Sequence, residues 1–325
     1  MKYKDRIYGE FEITEPVILD LINSPSLKRL KEIDQAGYFE AHYPGTAHSR
    51  FEHSVGVYLL LKMYGAPLSE QIAGLIHDVS HSAFSHCVDY ALDAGSEEEQ
   101  SHQDNVFAGF VKKSDIPGIL RNHDINLDFI LDDSNFTLLE RDLPELCADR
   151  IDYSLRGAVI FKEITGVKYF LDNLRAENGE WAFKSFQSAK KFAELFLKMS
   201  SVYYAGLASA VMFRTVGDYL RRALHKKYIT EADLYTTDRE VLRRIRPFHS
   251  SDAELKMLFD RMNKKVGCEN CPDDFNAKVT LKSRAVDPLF RRGDKILRVS
   301  EADPSWGGIV KRELEPKKYF LKFKK

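Results

Sequence analysis

Gln71–Asp89 reads QIAGLIHDVSHSAFSHCVD, and the fold is decided by how this stretch is read. It opens apolar, with Ile72, Leu75 and Ile76 at helical spacing. It turns polar at His77-Asp78 and adds His81 and His86 soon after. The spacing predicts a helix from Glu70 that carries Ile72, Leu75 and Ile76 inward and His77, Asp78 and His81 near the same side. Beyond His86 the helix is expected to continue through Leu92. A single histidine on an apolar face is ordinarily a core residue bonded to a carbonyl. Here such groups fall together, so that account would have to hold several times over. Imidazole beside carboxylate suits Zn, Fe, Mn or Co better than it suits a dry interior. Buried groups of this kind need a cation or very good hydrogen bonds.

The chain has 325 residues, enough for one large domain or a domain with an appendage. Basic residues number 48 and acidic ones 49, so no global field exists for gripping nucleic acid or an anionic membrane. Four cysteines (Cys87, Cys147, Cys268 and Cys271) are too few for a disulfide scaffold and point to a reducing compartment. Cys268 and Cys271 make a lone CxxC without a second pair, and read as a surface loop. The start, MKYKDRIYGEFEI, lacks an apolar signal-peptide core, and no run reaches membrane-spanning length. The expected location is cytoplasmic.

Periodicity predicts a mostly α protein: a multi-helix core over residues 1–234 and a small C-terminal α+β lobe over 235–325. Residues 1–14 alternate like a short strand, and Pro16 opens a helix. SLKRLKEIDQAG follows as a second helix, stopped by Gly37. Asn178-Gly179 predicts a hairpin over Phe170–Phe183. Two long helices, SFQSAKKFAELFLKMSSVYYAGLAS and AVMFRTVGDYLRRALHKKY, are expected to run on into one another. Thr237-Asp238 and Ser250 or Ser251 read as caps of later helices. Ala94–Gln103 is acidic and polar, and reads as a solvated loop.

His53, His77-Asp78 and Asp149 stand out together, each on an expected helix. The ordered set RFEH (50–53), HDxxHxxxxH (77–86) and DRIDY (149–153) resembles the HD superfamily of metal-dependent phosphohydrolases. The segments AHYPGTAHSRFEHSVGVYLL, GLIHDVSHSAFSH and ADRIDYSLRG are similar to its deoxynucleoside triphosphate triphosphohydrolase branch. The resemblance implies His53, His77, Asp78 and Asp149 as ligands of one divalent transition metal, with Fe, Mn, Zn, Co or Ni all compatible. Additional Mg would come with the nucleotide. Two imidazoles and two carboxylates leave positions open for water and a phosphate oxygen.

The resemblance further implies His86 as proton donor to the leaving oxygen, with Asp89 and His102 supporting it and His81 facing phosphate. Arg50 and Arg150 are expected to meet phosphate oxygens, Gln35 the sugar 3′ hydroxyl, and Tyr153 the ribose. Three departures stand against the branch. His102 is followed by Gln103 instead of glutamate. Gly157 replaces an aspartate that helps read the 3′ hydroxyl. SSVYYAGLASAVMF is nearly uncharged where the branch grips distal phosphates, with Arg214, Arg221 and Arg222 only downstream. The expected activity is hydrolysis of a (deoxy)nucleoside triphosphate to nucleoside and triphosphate. The alternatives are an HD-type nucleoside monophosphatase or general phosphatase, and a nucleotide-sensing regulatory protein without turnover. The implied partners are a nucleotide or phosphate ester and further copies of the chain in a homo-oligomer, with no membrane and no nucleic acid.

Overall fold

The computed structural model describes residues 1–92 and 102–324, so most of the acidic stretch 94–103 lies outside the described residues. The chain is mostly helical, with small sheets, as periodicity predicts. At its centre lie the helices Arg50–Met63, Leu68–Ile76 and Ala148–Ile160. Ser49 caps the first of these: its hydroxyl accepts from the Glu52 amide, and Glu52 accepts from the Ser49 amide in return. A tight turn through Gly65, at φ +74°, reverses the chain into the second helix. The third crosses the first at Gly56, where a Cβ would strike the Asp152 and Arg156 side chains. Glycine is required there because a charged pair passes through the crossing.

The central helix is shorter than its pattern predicts. It stops at Ile76, and His77 caps it, so His77, Asp78 and His81 lie on a turn. The physical reason is competition for carbonyls. Arg29 Nη2 takes the Val79 and His81 oxygens at 2.7 and 2.8 Å, and His77 Nδ1 donates to the Gly74 oxygen at 2.7 Å. Ser85–Tyr90 is then a 3₁₀ helix. The second predicted helix is likewise brief, Pro25–Arg29 followed by a 3₁₀ turn.

Phe186–Lys198 and Leu207–His225 do not run on into one another. A π-helical turn, Met199–Tyr204, separates them, and the axes bend by 45°. The hydroxyls of Tyr43 and Ser209 both donate to the Tyr203 carbonyl, which withdraws it from the helical ladder. Wide turns of this kind concentrate at functional sites. No single helix among the described residues is long and apolar enough to cross a membrane.

The N-terminus is a hairpin, Lys2–Asp5 with Gly9–Glu12. The predicted hairpin forms as Leu174–Glu177 and Glu180–Phe183, with Asn178 and Gly179 both at positive φ. It joins Leu289–Arg292 in parallel, and Lys295–Arg298 completes a four-stranded sheet. That sheet takes strands from both sides of residue 235. Both buried cores do the same: Val286, Phe290 and Trp306 pack with the N-terminal helices, and Leu321 and Phe323 pack with Leu207–His225 residues. Cys268–Asn270 and Ala277–Leu281 flank Lys317–Phe323 in a three-stranded sheet. Cys268 and Cys271 are free, half-buried thiols on it. Thr237 caps Asp238–Ile245 as expected. Asp252, not Ser250 or Ser251, caps the next helix, because its carboxylate both accepts from the Leu255 amide and pairs with Arg222.

Candidate metal centre

Three distant segments bring His53, His77 and Asp149 together. One nitrogen of each ring and a carboxylate oxygen lie within 4.8 Å of one another. His53 Nε2 is 2.9 Å from Asp149 Oδ1 and 3.2 Å from His77 Nε2. Asp78 closes the group, with Oδ1 3.4 Å from His77 Nε2 and Oδ2 3.7 Å from His53 Nε2. Three of the four residues expected as ligands therefore converge on one point, and Asp78 adjoins them.

The donor chemistry at that point fits a cation. Each imidazole has already committed its other nitrogen: His53 Nδ1 donates to Asp152 Oδ1 at 2.8 Å, and His77 Nδ1 to the Gly74 carbonyl. Two Nε2 lone pairs and carboxylate oxygens thus confront each other, which is repulsive unless a proton or a metal ion lies among them. The electrostatics of the cluster make the same demand. Burial alone would lower His77, yet Asp78 and then Asp149 push it up to about 9. Burial alone would raise Asp149, yet its bonds to His53 and His77 hold it far below the usual carboxylate range. A divalent ion meets that demand without a proton.

A second histidine group adjoins the first. Asp78 also accepts from His81 Nε2, the two atoms 3.3 Å apart, and from Arg50 Nη1 at 2.6 Å. Burial, followed by the Arg50 charge, keeps His81 well below its usual pKa. The His81 and His86 rings meet edge to face at 5.0 Å. His86 Nδ1 lies 3.2 Å from Asp89 Oδ2. The His86 ring is 27% exposed while Asp89 behind it is 3% exposed, so a held imidazole presents its free nitrogen to a ligand.

Residues 50–156 match the family model described as the HD domain. The chain is 30% identical over 321 residues to the metal-dependent phosphohydrolase cns2 of Cordyceps militaris, covering 94% of this chain and 89% of that protein. The chain belongs to the HD-domain metal-dependent phosphohydrolases. It is also 35% identical over 305 residues to the uncharacterized protein YdhJ of Bacillus subtilis, covering 92% and 91% of the two chains. A shorter match, 37% over 102 residues, covers 27% of this chain and 16% of the deoxynucleoside triphosphate triphosphohydrolase SAMHD1 of Danio rerio.

In this HD phosphohydrolase the metal turn rests on a buried charge chain that sequence reading missed. Asp152, which orients His53, is bonded to Arg156 through both oxygens at 3.0 Å. Arg156 Nη2 reaches Asp5 of the N-terminal hairpin at 3.1 Å. All three side chains are completely buried. The available signal was spacing: Asp149, Asp152 and Arg156 share one helix face. Asp238 gave no such signal. It arrives from beyond residue 235 and accepts from the Phe84 and Asp34 amides at 2.7 and 2.9 Å. It thereby holds Phe84 and Ser85, both left-handed at φ +61° and +48°, immediately before His86.

The residues expected to touch substrate divide into two groups. Arg50 bonds through all three nitrogens, to Ser85 Oγ, Asp78 Oδ2 and the Gln35 carbonyl, and so braces the turn that carries Asp78. Arg150 binds Glu140 at 2.9 Å and the Arg141 and Glu145 carbonyls, which bracket the loop before Asp149. By contrast, Gln35 Oε1 and the Tyr153 hydroxyl are buried without a partner among the described residues. His102 also departs from its expected relay. Its ring pairs with the Tyr235 hydroxyl at 3.1 Å, and its main-chain N–H meets Asp89 Oδ1. As the first residue of His102–Lys113 it has an N–H free of helical partners.

Two of the sequence departures have structural reasons. Gln103 donates its amide to the His77 carbonyl at 2.8 Å, a bond an ionised glutamate cannot make. A Cβ on Gly157 would strike the Tyr204 hydroxyl, which donates to the Tyr153 carbonyl at 3.1 Å. The phenol occupies the space that any side chain at position 157 would need. Gly157→Ala is therefore expected to destabilise by about 1–3 kcal/mol, although an open helix site would gain from alanine. Tyr204→Phe in the same chain should recover part of the loss. A denaturant double-mutant cycle measures that coupling, and additive effects would contradict it.

Proposed function

We propose that this chain hydrolyses nucleotides at the α-phosphate, releasing triphosphate from a (deoxy)nucleoside triphosphate. The single observation that carries the reading is the His86–Asp89 pair standing one ring away from the convergent His53, His77, Asp78 and Asp149. A divalent ion, when bound, supplies Lewis-acid charge for phosphoryl oxygens and a nucleophile at neutral pH. His53, His77, Asp78 and Asp149 would hold it, with Asp152 and the Gly74 carbonyl fixing the rings. Water forms the new bond to phosphorus as the bond to the 5′ oxygen breaks. His86 gives its proton to that leaving oxygen, and Asp89 keeps the ring aimed. The unpartnered Gln35 and Tyr153 atoms support a sugar beside the centre.

A second reading, a nucleoside monophosphatase, is favoured by one feature: the Ser200–Phe213 stretch carries no basic side chain for distal phosphates. One experiment separates the readings. The purified, metal-analysed chain is incubated with nucleoside tri- and monophosphates, and the product is identified as triphosphate or orthophosphate. No hydrolysis by metal-loaded protein would overturn both. His86→Ala is expected to retain the metal and lose about 10²–10⁴ in kcat. Full activity in that variant would remove the acid assignment.

A further inference from the structure

The stretch from Ser200 to Phe213 carries no basic side chain, so it offers nothing to distal phosphates. The tertiary structure brings cations to it from far along the chain. The Arg284 amide donates to Ser200 Oγ at 3.2 Å, which lays residues 282–287 against the π-helical turn. The Asp287 amide donates to the Pro144 carbonyl at 2.9 Å, on the loop that leads into Asp149. Trp306 Nε1 holds the Val286 carbonyl at 3.0 Å, and Ala285 and Val286 are fully buried. The segment is thus pinned on both sides of the helix start that carries Asp149.

Lys282 and Arg284 stand half-buried at the free end of this anchor. Arg284 and Arg150 are the cations that act on the Tyr153 phenol. Burial first, then Arg284 and Arg150, depresses Lys282, while Asp104 and Glu140 act the other way. Glu140 is already paired with Arg150. The hydroxyls of Ser283 and Tyr153 are buried there without a partner among the described residues. Beyond the Arg150–Glu140 pair, Lys282 and Arg284 beside the buried Ser283 hydroxyl make a surface that gains from an anion of several charges.

We infer that Lys282 and Arg284 bind the distal phosphates of a nucleoside di- or triphosphate whose α-phosphate lies at the metal centre. This rests on the nucleotide reading above and narrows it to polyphosphate substrates. The C-terminal part of the chain completes the site, supplying the charge that the Ser200–Phe213 stretch lacks.

Calorimetry on the full-length, metal-loaded chain tests this with inorganic triphosphate and orthophosphate as probes. Wild type should bind triphosphate at least about tenfold more tightly than orthophosphate. Lys282→Gln/Arg284→Gln should lose about tenfold or more for triphosphate and change little for orthophosphate. The charge-keeping Lys282→Arg/Arg284→Lys variant should stay within about threefold of wild type. Should the double glutamine variant fold poorly, Lys282→Gln alone gives the same reading at about threefold or more. Undiminished triphosphate binding in the glutamine variants, or no preference for triphosphate in wild type, overturns the inference. Turnover is not read, so a chain that binds triphosphate this way and hydrolyses no nucleotide would refute the proposed function alone.

Discussion

Asp149→Ala is expected to remove bound metal and turnover together. Asp149 Oδ1 lies 2.9 Å from His53 Nε2 and 3.6 Å from His77 Nε2, nearer to both rings than either Asp78 oxygen is to His53. Without it the two lone pairs keep only Asp78, whose charge is already shared with Arg50 and His81. Metal affinity should fall by more than the ten- to hundredfold typical of outer residues, and kcat by on the order of 10³. The Asp149 side chain is 24% exposed, so the fold should survive its loss. Elemental analysis and the product assay on the same preparation measure both effects. A variant that keeps its metal would show that the convergence of these side chains is not a binding site.

Arg156→Met should give the largest loss of stability. The guanidinium lies between Asp5 and Asp152, and all three side chains have no exposure to water. Removing it strands two carboxylates in the interior, at a cost of about 3–5 kcal/mol. The melting temperature should fall by roughly 5–10 °C for a chain of this size. Adding Asp5→Asn and Asp152→Asn should restore much of that, because neutral groups replace the stranded charges. The same triple variant should still bind metal about 10–100-fold more weakly, since His53 has lost the carboxylate on Nδ1. A chain in which stability and metal binding recover together would show that Asp152 does not orient His53.

Most of the helical order was legible because apolar spacing, caps and turn residues act locally. Ser49 with Glu52, Thr237, and Asn178-Gly179 each do what their types predict. The ends of elements were less legible. The central helix stops at Ile76 because Arg29, some fifty residues earlier, claims the Val79 and His81 carbonyls. The Met199–Tyr204 turn interrupts a continuous-looking helix because Tyr43 and Ser209 claim the Tyr203 carbonyl. Arg29 and Tyr43 both lie outside the segments they reshape.

The same division runs through the site. Sequence alone pointed to His53, His77, Asp78, Asp149, His86 and Asp89, through the ordered motifs that resemble the HD superfamily. It also identified the family. Only the tertiary structure decided what the charged groups beside them do. Arg50 and Arg150 look like phosphate ligands in a linear reading, but folding turns them onto Asp78 and Glu140. Asp5 and Asp238 carry no signal of a role at the centre until packing brings them against Arg156 and the Phe84 amide. The reason is range. Helical periodicity and metal-ligand chemistry belong to single segments, whereas the partner of a buried charge is chosen by whatever the rest of the chain places against it.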